Sequence, residues 1–229
     1  MRSSRWQAQG NVYLVAEDGP LSAASVREQV GDADGILEVR GHGDDWVEIA
    51  IWNTDGSLAE MSGNGTRIAA CWLAERTGAR KVTVRVGPRE VAATLLDGGL
   101  VEQDLGDVSV GAREELDGIS FTPVDVGNPH AVVEGDPNEL PRLGPLLGNH
   151  SRFPHRTNVQ VARRKGNDEV EARVWERGVG ETGSSGTSAV AVTAALGLAE
   201  ATVRFPAGAL HVRFAGSRAY LTGPAARVA

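Results

Sequence analysis

The chain is nearly devoid of cysteine: Cys71 is the only one in 229 residues. No intrachain disulfide can form, and a reducing compartment is the natural expectation. Cys71 lies in the apolar helical pattern Ile68-Ala69-Ala70-Cys71-Trp72-Leu73 and reads as a core thiol rather than a catalytic one. Aromatic rings are scarce as well. Two tyrosines and four phenylalanines stand against 29 glycines, which suggests many turns and close backbone approaches. Positive charge is in deficit, with 23 Lys and Arg against 30 Asp and Glu, and a net charge of −7 argues against nucleic acid as a partner. No apolar run approaches the length that spans a bilayer. The start, Met1-Arg2-Ser3-Ser4-Arg5-Trp6, lacks the apolar core of a signal peptide. The expectation is a cytoplasmic protein that engages neither membrane nor nucleic acid.

The composition, 41% apolar and 23% charged, is that of an ordinary globular protein, and the length suits two lobes of roughly 110 residues. Strands are expected over Val12–Val15 and Val47–Trp52, the second running into the turn Asn53-Thr54-Asp55-Gly56. A helix should run from Gly65 to Arg76, with Gly78 placed to stop it. Strands over Lys81–Val86 and Glu90–Leu96 follow. The second half repeats the plan: Gly127-Asn128-Pro129-His130 precedes Ala131-Val132-Val133 as Gly10-Asn11 precedes Val12. Strands over Val159–Ala162 and Glu169–Trp175 flank the turn Lys165-Gly166-Asn167-Asp168. A helix is expected over Ala189–Ala201, then short strands over Val203–Phe205, Leu210–Phe214 and Arg218–Leu221. Ser62-Gly63 and Ser185-Gly186 stand 123 positions apart, the offset that also lays Trp52 on Trp175. These matches imply an internal duplication, with Glu134–Ser151 as an insertion in the second half. The fold class read from this order is α+β: two pseudo-symmetric lobes, 1–112 and 113–229, meeting near Gly111 to Gly118. Each has an antiparallel-rich sheet around a central helix, and the active site is expected in the cleft between them.

Chemistry concentrates in two strand-to-helix turns, Met61-Ser62-Gly63-Asn64-Gly65-Thr66-Arg67 and Thr182-Gly183-Ser184-Ser185-Gly186-Thr187-Ser188. Each exposes backbone N–H groups at a helix N-terminus, a ready anion site. Two such ends aimed at one spot would hold a carboxylate and stabilise charge developing beside it. The bland alternative makes Ser62 and Ser185 plain N-caps, a role serine favours. His42, His150, His155 and His211 show no ligand spacing, so no metal site is assigned.

In these motifs the chain resembles the diaminopimelate epimerase family, cofactor-independent amino-acid epimerases of the proline-racemase-like superfamily. The matching segments are Gln9-Gly10-Asn11, Asn53-Thr54-Asp55-Gly56-Ser57, Ala59-Glu60 leading into the first turn, Gly127-Asn128-Pro129-His130-Ala131-Val132, Thr157-Asn158-Val159, and Glu176-Arg177-Gly178-Val179-Gly180-Glu181-Thr182. They are spread over almost the whole chain, which is somewhat shorter than typical members. The resemblance implies epimerisation of L,L-diaminopimelate to the meso form, a step toward lysine and peptidoglycan, by two bases on opposite faces of the α-carbon and with no cofactor. Position by position, the acid/base pair falls on Ser62 and Ser185, where the family has cysteine. The groups beside them fall on His130 and Glu176, expected to pair with Ser62 and Ser185 respectively. The residues that would hold the distal amino-acid end are Asn11, Asn53, Asn128, Asn158 and Arg177, with the Arg177 fork matched to a carboxylate. Backbone amides of Gly63, Asn64, Gly186 and Thr187 would take the α-carboxylate. A small-molecule amino-acid substrate is thus implied, and a homodimer.

Serine at both acid/base positions departs from the family. A serine hydroxyl is less acidic than a thiol by about 5 units, so its alkoxide costs roughly 7 kcal/mol more. Helix dipoles contribute only about 0.3–2 kcal/mol each. Three accounts follow: an epimerase with serine in place of cysteine, working through His130 and Glu176; a related isomerase or dehydratase that uses Glu176 and His130 as acid and base, as in the phenazine-biosynthesis branch; or a catalytically silent amino-acid binder. The complete distal set favours the first.

Overall fold

A computed structural model describes residues 2–228. The chain forms two compact units, Met1–Asp104 with Thr222–Ala229, and Leu105–Leu221. The division therefore falls eight residues before the expected 112/113 (112 − 104 = 8), and the last stretch of chain belongs to the first unit, where it pairs as a strand.

The first unit runs β1 (Ser3–Ala8), β2 (Asn11–Ala16), α1 (Ala23–Gln29), β3 (Gly35–His42), β4 (Trp46–Asn53), β5 (Leu58–Ala59), α2 (Gly63–Thr77), β6 (Lys81–Val86) and β7 (Arg89–Leu95), and β8 (Leu100–Asp107) begins in it and ends in the second. In the second come β9 (Ser109–Val110), β10 (Glu114–Leu116), β11 (Ile119–Asp125), β12 (Pro129–Glu134), α3 (Leu140–Gly148), β13 (Asn158–Arg164), β14 (Glu169–Glu176), β15 (Gly180–Thr182), α4 (Gly186–Ala195), β16 (Glu200–Phe205) and β17 (Gly208–Ala215), and β18 (Arg218–Pro224) begins in it and ends in the first. Strand β19 (Ala226–Arg227) pairs antiparallel with β1.

The duplication is visible in the ladders. In the first unit β2 pairs parallel with β3, β3 antiparallel with β4, and β4 parallel with β6. The second repeats this as β12 with β13, β13 with β14, and β14 with β16. The parallel step from β4 to β6 is bridged by α2, and that from β14 to β16 by α4, as parallel pairs require a crossover. Both β4 to β14 (46 to 169) and α2 to α4 (63 to 186) show the offset of 123, which falls to 119 at β6 to β16 (81 to 200). The shorter second helix accounts for the loss: α4 has 10 residues against 15 in α2.

The middle of each crossover helix, residues 68–73 in α2 and 189–195 in α4, is apolar or small all round, and it sits inside its unit rather than on it. Ile68, Ala69, Ala70, Trp72 and Leu73 of α2 pack among Leu37, Val47, Ile49, Ile51, Val82 and Val84 of the surrounding strands. Ala189 to Val192 of α4 pack among Val170, Val174, Val203, Leu210 and Val212. Gly78 stops α2 with φ 75°, the left-handed geometry that glycine adopts without penalty. The second helix is shorter than expected over Ala189–Ala201. It begins at Gly186 and ends at Ala195; Gly197 turns left-handed at φ 64°, and β16 starts at Glu200. The insertion carries a helix of its own, α3, whose Leu140, Leu143 and Leu147 pack on Val159 and Val161. There Gly144 lies so close to Trp175 that a Cβ would meet that side chain at 2.8 Å.

Among the described residues no helix is long and apolar enough to cross a membrane, and no group of three His, Cys, Asp or Glu could hold a metal.

Candidate active site

On the first unit, Ser62 is the N-cap of α2. Its extended backbone (φ −143°, ψ 117°) lets Oγ accept the Gly65 N–H at 3.0 Å. The first helical turn leaves the N–H groups of Gly63 and Asn64 without intrahelical acceptors, as every helix start does. The bland reading of Ser62 as a cap is correct as far as it goes, and such a cap is worth about 1 kcal/mol. Oγ has a second neighbour, the phenol of Tyr13, at 3.3 Å.

Behind the cap lies a polar chain. Asn64 Nδ2 donates to Asn11 Oδ1, and the Arg67 guanidinium donates to Asn64 Oδ1. Arg67 is fully buried, and it also reaches Gln103 Oε1 at 3.3 Å and the Pro224 carbonyl at 3.5 Å. Burial pulls this guanidinium down to about 10. Gln103 in turn donates to Thr66 Oγ1 at 2.6 Å, and Thr66 Oγ1 donates to the Ser62 carbonyl at 2.9 Å. The turn holding Ser62 is thus fastened from below by buried hydrogen bonds, each unmade one of which would cost about 1–3 kcal/mol. Asn53 spends its side chain locally, donating to Ser57 Oγ at 2.9 Å within its own turn. Cys71, half-buried, points its thiol at the Ala225 carbonyl (3.7 Å), and burial pushes it up to about 11, which keeps it protonated and inert.

On the second unit, Ser185 occupies the equivalent N-cap position of α4 but makes no capping bond. Its hydroxyl is turned to the Glu176 carboxylate, which also accepts from Thr182 Oγ1 at 3.1 Å. Withdrawal from water raises the Glu176 carboxyl above the usual glutamate value, and the two hydroxyls only partly offset this. The two serines therefore differ in what they do: one caps its helix, the other binds a carboxylate.

His130 is buried, with both ring nitrogens engaged inside its own unit. Nε2 lies 2.9 Å from Asn128 Oδ1, and Nδ1 lies 3.0 Å from Gln160 Nε2. Gln160 Nε2 also donates to Ser188 Oγ at 2.9 Å, so its amide nitrogen faces both neighbours and only Oε1 is left without a partner. Turning that amide over would leave two donors unmet in place of one acceptor, so Nδ1 accepts and Nε2–H donates to Asn128. Burial pulls the imidazole down to about 3, which keeps it neutral. Neither nitrogen offers a spare lone pair, and this weakens the expectation of His130 as a base. Asn158 donates from Nδ2 to the Pro129 carbonyl (3.0 Å) and accepts the Arg177 backbone N–H (2.9 Å), leaving the exposed Arg177 side chain outward.

The structure thus groups Asn11, Ser62, Gly63 and Asn64 on one unit, and Asn128, His130, Asn158, Glu176, Arg177, Ser185, Gly186 and Thr187 on the other, with Asn53 in its own turn. A groove of about 390 Å³ lined by Val108, Val110, Leu198 and Phe214 contains none of them. Sequence reasoning missed Tyr13, Gln160 and Thr182, and gave Arg67 no role. Tyr13 follows Asn11 by two residues on β2, and Gln160 follows Asn158 by two on β13. The alternation of strand side chains puts each on the same face as a residue already singled out.

The fold is one that solved epimerases share with phenazine-biosynthesis proteins. Among solved structures the chain is similar to a hydroxyproline epimerase from Agrobacterium vitis (TM-score 0.66, 14% identity, 99% of this chain and 88% of that one). It is also similar to a phenazine biosynthesis protein from Bacillus anthracis (TM-score 0.75, 13% identity, 100% and 98%). In sequence, the diaminopimelate epimerase profile matches residues 122–228. A diaminopimelate epimerase from Synechocystis is 31% identical over 98% of this chain and 96% of its own length, and one from Brucella canis is 31% identical over 97% and 87%. The chain belongs to the diaminopimelate epimerase family.

Proposed function

We propose that this chain converts L,L-diaminopimelate to the meso form by a cofactor-independent two-base reaction, with Ser185 and Ser62 each supplying one proton-transfer group. The observation that carries the reading is the pairing of Ser185 with Glu176 at the start of α4. A serine that served only the fold would cap the helix, and this one turns to a carboxylate instead. Glu176 takes the hydroxyl proton of Ser185 as Ser185 takes the α-proton, so no free alkoxide forms. The unpaired N–H groups of Gly186 and Thr187, and of Gly63 and Asn64, suit the α-carboxylate and the charge that grows beside it. Arg177 suits the distal carboxylate, its backbone anchored through Asn158 while its side chain stays outward. The neutral, doubly bonded His130 weighs against an isomerase that would use it as its base.

Incubation with L,L-diaminopimelate in D₂O tests this. Deuterium should enter one α-position as the meso isomer accumulates. Binding without exchange would leave a silent amino-acid binder, and would overturn the reading.

A further inference from the structure

Ser185 has a carboxylate beside it, and among the described residues of its own unit Ser62 has a phenol in that place. We propose that Tyr13 holds the proton behind Ser62, so that the Ser62 hydroxyl relays the α-proton rather than keeping it. The proposal rests on the epimerase reading above and extends it to the second base.

Three features of the fold bring the phenol there. Tyr13 and Asn11 lie on the same face of β2, the face that packs with Val15 against α2. Asn11 meets Asn64 and Tyr13 meets Ser62, so one strand serves both ends of the helix-start motif. Opposite Tyr13 in the parallel β2–β3 register stands Gly35, where a Cβ would meet the Trp52 carbonyl at 2.5 Å and the Tyr13 ring at 2.8 Å. Only a residue without a side chain lets the ring lie where its hydroxyl reaches Ser62.

The geometry at Ser62 Oγ suits a relay. One lone pair accepts the Gly65 N–H, leaving one lone pair and one proton for exchange. In abstraction the Cα–H bond breaks and its proton forms a new O–H bond on Ser62, while the old Ser62 O–H bond breaks and that proton passes to the Tyr13 phenolate. The products are a substrate carbanion, a neutral serine and a neutral tyrosine. Return runs the steps backward and delivers a proton to Cα. A phenol ionises near pH 10, far more readily than an aliphatic hydroxyl. Tyr13 acts through Ser62 and is a positioning residue in that sense.

The test compares wild type, Tyr13→Phe, Ser62→Cys and the double variant Y13F/S62C, with S62C/S185C as a control. In the serine background Y13F should lower kcat for epimerisation and α-exchange about 10²–10³-fold, the worth of a positioned acid/base, with KM within about threefold. In the S62C background a thiol can hold its own proton, so Y13F should change kcat by less than about threefold. An equal loss in both backgrounds means Tyr13 only packs, and overturns the relay, as does an unaffected Y13F. An inert wild type beside an active S62C/S185C overturns the relay and the epimerase reading together, and leaves the serine chain a silent binder, whereas an active wild type that fails either Y13F comparison overturns the relay alone. Should none turn over, that reading fails and the relay with it. A readout free of turnover is available because Tyr13 and Tyr220 are the only tyrosines. In Y220F, the alkaline phenolate titration of Tyr13 should shift on adding S62A, and an unmoved midpoint would refute the pairing.

Discussion

Glu176→Gln should make the protein more stable and nearly inactive at the same time. The substitution keeps the shape and an oxygen acceptor for Thr182 and Ser185 but removes the base. Loss of a positioned general base costs about 10²–10⁴-fold, so kcat should fall by roughly 10³ with KM within a few-fold. The stability gain follows from linkage. Burial raises the Glu176 carboxyl above its ordinary value of 4.5, so the folded chain holds this proton more tightly than the unfolded chain does. Stability is therefore full below the unfolded value, and declines as pH rises through the folded one. Each unit of elevation costs about 1.4 kcal/mol at neutral pH. Glutamine carries no charge to desolvate and escapes the loss.

Chemical denaturation of wild type and E176Q from pH 4 to 8 provides the check. The two curves should nearly coincide at the acid end and separate as pH rises, with E176Q the more stable at neutral pH. The pH profile of kcat should in parallel lose its acid limb in the variant. Parallel stability curves would mean that Glu176 is as well solvated in the fold as in the unfolded chain. Activity within threefold of wild type would remove Glu176 from the chemistry, and the carboxylate-turned Ser185 would need another explanation.

His130 should produce the opposite pH dependence. Its folded value of about 3 lies below the ordinary 6.5, so stability is complete above pH 6.5 and is lost as pH falls toward 3. The loss at its limit is 3.5 units at 1.36, about 5 kcal/mol; His130→Gln should remove that acid sensitivity in urea titrations, and an unchanged slope would contradict a neutral buried imidazole. Arg177→Ala should leave thermal stability within about 0.5 kcal/mol, because the bond to Asn158 uses the backbone N–H. It should weaken diaminopimelate by about 10–100-fold, the worth of a charge-assisted pair, and a monocarboxylate amino acid far less. Calorimetry showing equal loss for both would detach Arg177 from the distal carboxylate.

Much of this was legible from the chain because duplication leaves copies that can be compared. The offset of 123 identified the two helix starts, and the apolar middles of α2 and α4 are the pattern of a helix wrapped by a sheet. Helix α3 was not legible: Glu134–Ser151, rich in Pro, Gly and Leu, read only as an insertion, and packing of three leucines on Val159 and Val161 makes a helix where Pro141, Gly144 and Pro145 disfavour one. The overextended end of α4 has a similar origin, since Ala199 and Ala201 look helical while Gly197 turns the chain. At the site, residue types were legible and their partners were not. No periodicity says that His130 spends both nitrogens on Asn128 and Gln160. Nor does it say that Ser185 forgoes its cap.

That last asymmetry bears on how serine could replace a thiol at all. An isolated serine base must reach the alkoxide, roughly 7 kcal/mol above the thiolate, and no helix dipole recovers more than about 2. A serine that loses one proton as it gains another never reaches that state. Its effective base strength is that of the group behind it. On the proposed reading these groups are unequal, a buried carboxyl behind Ser185 and a phenol behind Ser62. Abstraction through Ser185 calls on the carboxylate form of Glu176, and donation through Ser62 calls on the phenol form of Tyr13. The reverse direction needs the proton on the carboxyl and the charge on the phenol, two groups of different intrinsic acidity. A cysteine pair has no such built-in bias, because its two members are the same group. Exchanging both cysteines for serine therefore asks for two different helpers, and a carboxyl and a phenol are the ones that stand at the two helix starts.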